Sequence, residues 1–181
     1  MKASVISTFL LLATATRIQK ANGASSGEEQ LREAAESNNV DLVKSLLDGG
    51  VDAKATNDYG KSALMLAAGV GNDKAVELLL PKSDVKATDN DGWSALMLAA
   101  GFGNDKVVEL LLPKSDAKAT DKWTGYSALM IAARKGNSRS VELLLPFSDV
   151  EATNIRGKTA ADLAKEIGHN QIVRLIQQYS N

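Results

Sequence analysis

Apolar residues recur at helical spacing along most of the chain. Two groups near its start show the pattern: Leu31, Ala34 and Ala35, then Val43, Leu46 and Leu47. Within each group the residues lie three and four positions apart, so they share one face of a helix. Gly49-Gly50 follows the second group and provides residues that accept a positive φ. The pattern predicts two short helices that form the first unit of the fold.

The same pattern then returns, with a period near 32 residues. Five units follow one another: 27–56, 57–88, 89–120, 121–153 and 154–181. The second and third are identical at 25 of 32 positions, the fourth carries one inserted residue, and the outer two are looser copies. In such arrays each unit buries its apolar face only against its neighbours. We therefore expect one continuous domain over residues 25–181, with the outer units as caps.

Short polar signals mark where the helices of each unit begin and end. A hydroxyl residue precedes each alanine-rich first helix and is suited to cap it: Ser62, Ser94, Ser127 and Thr159. A glycine ends that helix. The second helix can start at the residue that follows: Asn72, Asn104, Asn137 and His169. Pro81, Pro113 and Pro146 stop the second helix. Turn-forming segments such as Asn57–Gly60 predict a projecting finger between successive helix pairs.

These units resemble the ankyrin repeat. The T-P-L-H-x-A signature of that family has its counterpart in Ser62-Ala63-Leu64-Met65-Leu66-Ala67-Ala68, with related stretches beginning at Ser94, Ser127 and Thr159. Alanine and methionine replace the proline and histidine of the signature. The resemblance implies an all-α, ankyrin-type solenoid of about five helix-turn-helix units with short projecting β-turn or hairpin fingers.

The segment Met1–Ala24 does not belong to the repeats. Lys2 is followed by a largely apolar run, Ala3–Ala15, and Ala13-Thr14-Ala15 offers small residues at a cleavage site. This is the layout of a secretory signal peptide, and the run is too short for a membrane span. We expect a protein that is secreted or enters the secretory pathway. The alternatives are an organelle transit peptide and a tail on a cytoplasmic protein.

Cleavage of this leader gives a first testable prediction. If residues 1–24 act as a signal peptide, the mature protein begins between residues 16 and 25. Edman or mass-spectrometric sequencing of protein from its native source measures this directly. An intact Met1 or Lys2 on intracellular protein would rule out the secretory assignment.

Composition and charge narrow the functional classes. The chain has 21 basic and 22 acidic residues, and this balance disfavours a nucleic-acid partner. It has no cysteine and one histidine, His169, which predicts a structural role for that residue. One histidine supports neither a zinc site nor a Ser-His-Asp triad. We expect no enzyme and no catalytic, cofactor-binding or metal-binding residues.

The aromatic residues are the exception to the repeat. Five of the eight lie at positions that change from unit to unit: Tyr59, Trp93, Phe102, Trp123 and Tyr126. The second and third units differ at seven positions, four of which fall on the predicted finger. Every unit has the same core to fill, so a core aromatic should recur. The sequence therefore predicts that Trp93 and Trp123 lie outside the core.

In proteins of the ankyrin type, the fingers and the first helices form the concave surface that binds a partner. By this resemblance a partner-binding face would be lined by Tyr59, Lys61, Val70, Trp93, Phe102, Trp123, Tyr126, Arg134, Lys135 and Arg156. The predicted function is a non-catalytic protein–protein interaction module, monomeric, with another protein as its partner. One alternative is a small-molecule or carbohydrate-binding protein that uses the same aromatics. Another is that Trp93 or Trp123 packs on a neighbouring finger and only stiffens the array.

Overall fold

The structure, a computed structural model, describes residues 25–180. The proposed leader, Met1–Ala24, lies outside the described residues. Ten α-helices occupy the described range: α1 Gly27–Glu36, α2 Val40–Asp48, α3 Ala63–Val70, α4 Asp73–Leu79, α5 Ala95–Phe102, α6 Asp105–Leu111, α7 Ala128–Lys135, α8 Ser138–Leu144, α9 Ala160–Ile167 and α10 Asn170–Ser180. A short 3-10 turn, Leu145–Phe147, follows α8. The expected all-α solenoid of about five helix pairs is confirmed.

The helices form two layers. The first helices of successive units pack side by side from α1 through α3, α5 and α7 to α9, and the second helices stack from α2 to α10 in the same way. Within residues 25–180, no helix combines the length and the apolar character needed to cross a membrane. The core is therefore a strip that runs between the two layers along the array.

The predicted helix starts are confirmed at the hydroxyl residues. The side chains of Ser62, Ser94 and Ser127 each accept the backbone N–H three residues ahead, at 3.2–3.3 Å. Thr159 and Asp162 form a reciprocal capping box. These bonds satisfy N–H groups that have no partner inside the helix, so each first helix has a fixed start.

Small side chains let the first-helix layer pack tightly. The alanine pairs of α3, α5 and α7 are completely buried: Ala67 and Ala68, Ala99 and Ala100, and Ala132 and Ala133. Met65, Met97 and Met130, which stand where the family signature has histidine, are also buried. Leucine and valine side chains of the second helices complete the core, with Leu79, Leu111 and Leu144 at matched positions.

The asparagines that precede the second helices of the inner units link neighbouring units. The side-chain N–H groups of Asn72, Asn104 and Asn137 donate to two carbonyls at the end of the first helix in the preceding unit. For Asn104 these are Ala68 and Gly69, both at 2.9 Å. None of the three side chains caps its own helix. The three asparagines therefore stand directly before the second helices, as expected, and their side chains bind the preceding unit instead of the helix that they start.

Candidate functional site

The fingers between helix pairs are short turns held by backbone bonds. Antiparallel bridges pair Thr56 with Ser62, Thr88 with Ser94, and Thr120 with Ser127. Neighbouring finger tips are also joined, since the Lys122 N–H donates to the Asp91 carbonyl at 3.0 Å. The predicted turn or hairpin fingers are thus present, and they form a continuous row along one edge of the array.

Asp121 organises the widened third finger. Its side chain, 5% exposed, accepts the backbone N–H groups of Trp123, Thr124 and Tyr126, each at 2.8 Å, and the Thr124 hydroxyl. Burial alone raises the pKa of this carboxyl, but the bonds from Thr124, Tyr126 and Trp123 stabilise the charged form more, so the pKa lies below its usual value. The inserted residue is therefore absorbed into a fixed loop.

A cleft of about 270 Å³ lies between the second and third fingers and α7. Three of the predicted aromatics line it, Trp93, Trp123 and Tyr126. The predicted cations Arg134 and Lys135, in the last turn of α7, line it as well. The structure thus brings together five of the ten residues that the sequence suggested.

Trp123 is the exposed wall of this cleft. Its side chain is 68% exposed, yet its orientation is fixed because the indole N–H donates to the Asp91 carboxylate at 3.0 Å. Asp91 belongs to the neighbouring finger. An aromatic face held by one hydrogen bond and open to solvent loses little conformational entropy when another surface covers it.

Trp93 and Tyr126 form the inner part of the cleft. They occupy matched positions, directly before the capping Ser94 and Ser127, and both are half-buried against the core. A Cβ added at Gly101 would lie 3.9 Å from the Trp93 ring and 2.9 Å from the Ile131 side chain. Trp93 therefore lies outside the buried core, as expected, but its ring packs against the core and also lines the cleft.

Arg134 and Lys135 supply the positive charge. The Arg134 guanidinium lies 5.9 Å from the centre of the Tyr126 ring, within the range of a cation–π interaction. Both cations are exposed, and among residues 25–180 neither forms a salt bridge. The cleft therefore combines an aromatic interior with unpaired cations at its rim.

The other five predicted residues lie outside this cleft. Four are exposed elsewhere and Lys61 is half-buried; the five are Tyr59, Lys61, Val70, Phe102 and Arg156. Sequence reasoning missed four lining residues, Asp91, Asp121, Thr124 and Ile131. Sequence signals existed for two of the four: position 91 differs between the near-identical units, and Ile131 replaces the leucine of Leu66 and Leu98.

The described part of the chain offers no metal site beside this cleft. Residues 25–180 contain no group of three or more histidine, cysteine or acidic side chains placed to hold a metal ion. His169 lies against Gly136, where an added Cβ would come within 2.8 Å of the imidazole ring. Its ring therefore fills the contact between the last two units, as the asparagines do earlier in the array.

Comparison with protein families agrees with this geometry. A model described as ankyrin repeats (3 copies) matches residues 31–121 and 110–181. The chain belongs to the ankyrin repeat family. Ankyrin repeats are typically protein–protein interaction modules, and the ankyrin match covers all five helix pairs apart from the start of α1. The resemblance drawn from the Ser62–Ala68 stretch is confirmed.

Proposed function

We propose that this ankyrin domain is a non-catalytic, monomeric interaction module that binds another protein through its concave finger and first-helix face. The centre of the binding surface is the cleft between the second and third fingers. The surrounding face extends over the fingers and helix ends that carry Tyr59, Phe102 and Arg156.

The observation that carries this proposal is the convergence of non-repeating residues on one place. Trp93, Trp123, Tyr126 and Arg134 all line the cleft, whereas the scaffold beneath repeats from unit to unit. Tryptophan, tyrosine and arginine are the residues that most often dominate the energy of protein interfaces. A repeating scaffold with one unit-specific aromatic cluster is what a partner-selective surface requires.

The size of the cleft favours a protein partner over a small molecule. Ligand pockets usually enclose about 300–1,000 Å³ and bury most of the ligand. This cleft, at about 270 Å³, lies at the lower edge of that range and has the exposed Trp123 as one wall. It suits a single side chain of a partner that also contacts the surrounding face, and this favours a protein over a carbohydrate or another small molecule.

Replacing Trp123 by alanine tests this function. We expect the affinity for the physiological partner to fall about 30-fold, since a central interface tryptophan contributes about 2 kcal/mol. Stability should change by less than about 0.5 kcal/mol, because the side chain is exposed. Partners captured by the wild-type domain are identified by mass spectrometry and then titrated against both proteins by biolayer interferometry.

Phe147→Ala is the matched control for this substitution. Phe147 is also an exposed aromatic, at 50%, but it lies in the turn after α8 and does not line the cleft. Its removal should leave the affinity unchanged. Equal affinities for wild type and Trp123→Ala, or an equal loss for both variants, would contradict a binding site centred on the cleft.

We also propose that the domain works in the secretory pathway. The support is the layout of Lys2, the apolar run Ala3–Ala15 and the small residues that end it. The N-terminal sequencing described above tests this proposal independently of the binding experiments.

A further inference from the structure

The two cations at the cleft are specific to one unit. Arg134 and Lys135 lie in the last turn of α7, where positive charge also complements the helix dipole. The matched positions of α3 and α5 hold Gly69 and Val70, and Gly101 and Phe102. The first helices α3 and α5 therefore end without cations. The dipole alone does not account for two cations beside the aromatic cluster.

The acidic side chains at the same cleft are already engaged. Asp121 is buried, and its carboxylate accepts four hydrogen bonds within its own finger. Asp91 accepts the indole N–H of Trp123. Neither carboxylate pairs with Arg134 or Lys135 among the described salt bridges. Asp121 is thus buried away from an occupant, and among the exposed charged residues that line the cleft the two cations, Arg134 and Lys135, outnumber the one carboxylate, Asp91.

A third cation extends this surface onto the next finger. Arg156 is exposed, and its finger is joined to the third one by the Ile155 N–H, which donates to the Thr124 carbonyl at 3.1 Å. The backbone N–H of Arg156 is held by Asn154 at 2.9 Å. Positive side chains thus continue from the cleft along the row of fingers.

We propose that the cleft binds an acidic peptide segment of the partner, in which one large apolar or aromatic residue is flanked by aspartate or glutamate. The apolar side chain enters the cleft against Trp93 and Trp123, and the flanking carboxylates pair with Arg134 and Lys135. This inference rests on the proposed protein-binding function and names the chemistry of its partner. A basic segment is disfavoured because it would approach two unpaired cations.

Selection from a random peptide library displayed on phage, with the full chain as bait, tests the proposal. We expect enriched peptides to carry a large apolar residue next to acidic residues. Binding of the synthesised peptides should weaken as salt rises, because exposed charges are screened. The double variant Arg134→Glu/Lys135→Glu should raise the Kd about 100-fold, as both charge pairs become repulsive.

Lys86→Glu/Lys118→Glu is the control, since it changes the net charge equally at exposed lysines outside the cleft. It should change the Kd less than about 3-fold, through long-range charge alone. Both double variants are first shown by thermal melting to remain folded. Enrichment of basic or uncharged peptides, or equal losses for both double variants, overturns the acidic-segment proposal.

Trp123→Ala separates this failure from that of the proposed function. Some peptides could require Trp123 and yet bind the Arg134→Glu/Lys135→Glu variant with unchanged affinity. That result would support the cleft as the binding site and overturn only the acidic segment. A selection that yields no Trp123-dependent peptide overturns both.

Discussion

Replacing Leu111 by alanine should lower the free energy of unfolding by about 2–5 kcal/mol. Leu111 is 0% exposed in α6, which packs on α4 and α8, so the cavity would open between units as well as within one. Because α4 and α8 are held in place by their packing on α6, their side chains can move only slightly into the cavity. Urea denaturation followed by circular dichroism measures the loss.

Leu42→Ala is the matched control for Leu111→Ala. It removes the same atoms from α2, but at a leucine that is 38% exposed. Its cost should stay below about 1 kcal/mol, since less apolar surface is lost and solvent fills the space. Similar losses for the two variants would show that α6 does not lie in a core shared between units.

Replacing Asp121 by asparagine should destabilise the protein by about 2–4 kcal/mol. One carboxylate oxygen accepts the Tyr126 N–H and the Thr124 hydroxyl, and in asparagine this position becomes an NH₂ group. Two donors would then face each other in a buried place. The amide can turn, but the other oxygen already accepts Trp123 and Thr124. Chemical denaturation at neutral pH measures the change.

Asp89→Asn is the matched control for Asp121→Asn, because it also replaces a finger carboxylate by an amide. Only one oxygen of Asp89 accepts finger N–H groups, from Asp91 and Trp93. In two other fingers the side-chain oxygen of an asparagine, Asn57 or Asn154, accepts the matching N–H groups, so an amide is sufficient there. Asp89→Asn should therefore cost less than about 1 kcal/mol. Equal losses of stability for Asp121→Asn and Asp89→Asn would mean that the bonds from the Tyr126 N–H and the Thr124 hydroxyl contribute nothing.

The pH dependence of Asp121→Asn adds a second readout. Because the folded pKa of Asp121 lies below the ordinary value for an aspartate, the carboxylate stabilises the fold above that ordinary value. This stabilisation disappears as the pH falls from the ordinary aspartate pKa through the lower folded pKa. The stability gap between wild type and Asp121→Asn should therefore narrow over that window.

Much of the fold was predictable because its signals are local and repeated. Ser62 and its counterparts precede an alanine-rich helix in every inner unit. Because the units repeat, each helix boundary can be checked against the matching position of the next unit. The one inserted residue was also visible, at Trp123-Thr124. Local capping chemistry and apolar spacing determine these features, so the chain need not be folded to recognise them.

The cleft depended on contacts between units, which no local pattern encodes. The side chains of Asn104 and its counterparts donate to carbonyls about one repeat away. An asparagine that capped its own helix would occupy the same position, so the sequence alone does not distinguish the two. Trp93 was expected outside the core because it does not recur. Its ring does lie outside the buried core, but it packs against that core at Gly101, beside the Ile131 of the next unit. The absence of a repeat at the aromatic positions located the site. It did not distinguish an aromatic that packs against the core, such as Trp93, from an exposed one, such as Trp123.

The binding of a partner at the cleft is tested most directly by fluorine NMR of the chain labelled with 5-fluorotryptophan. The whole chain contains two tryptophans, Trp93 and Trp123, and both line the cleft. Trp93→Phe and Trp123→Phe assign the two resonances. On titration with a partner protein whose binding is established by calorimetry, we expect a large shift of the exposed Trp123 resonance that saturates with complex formation, and a smaller shift for Trp93. Saturating binding that leaves both resonances unmoved would contradict binding at the cleft.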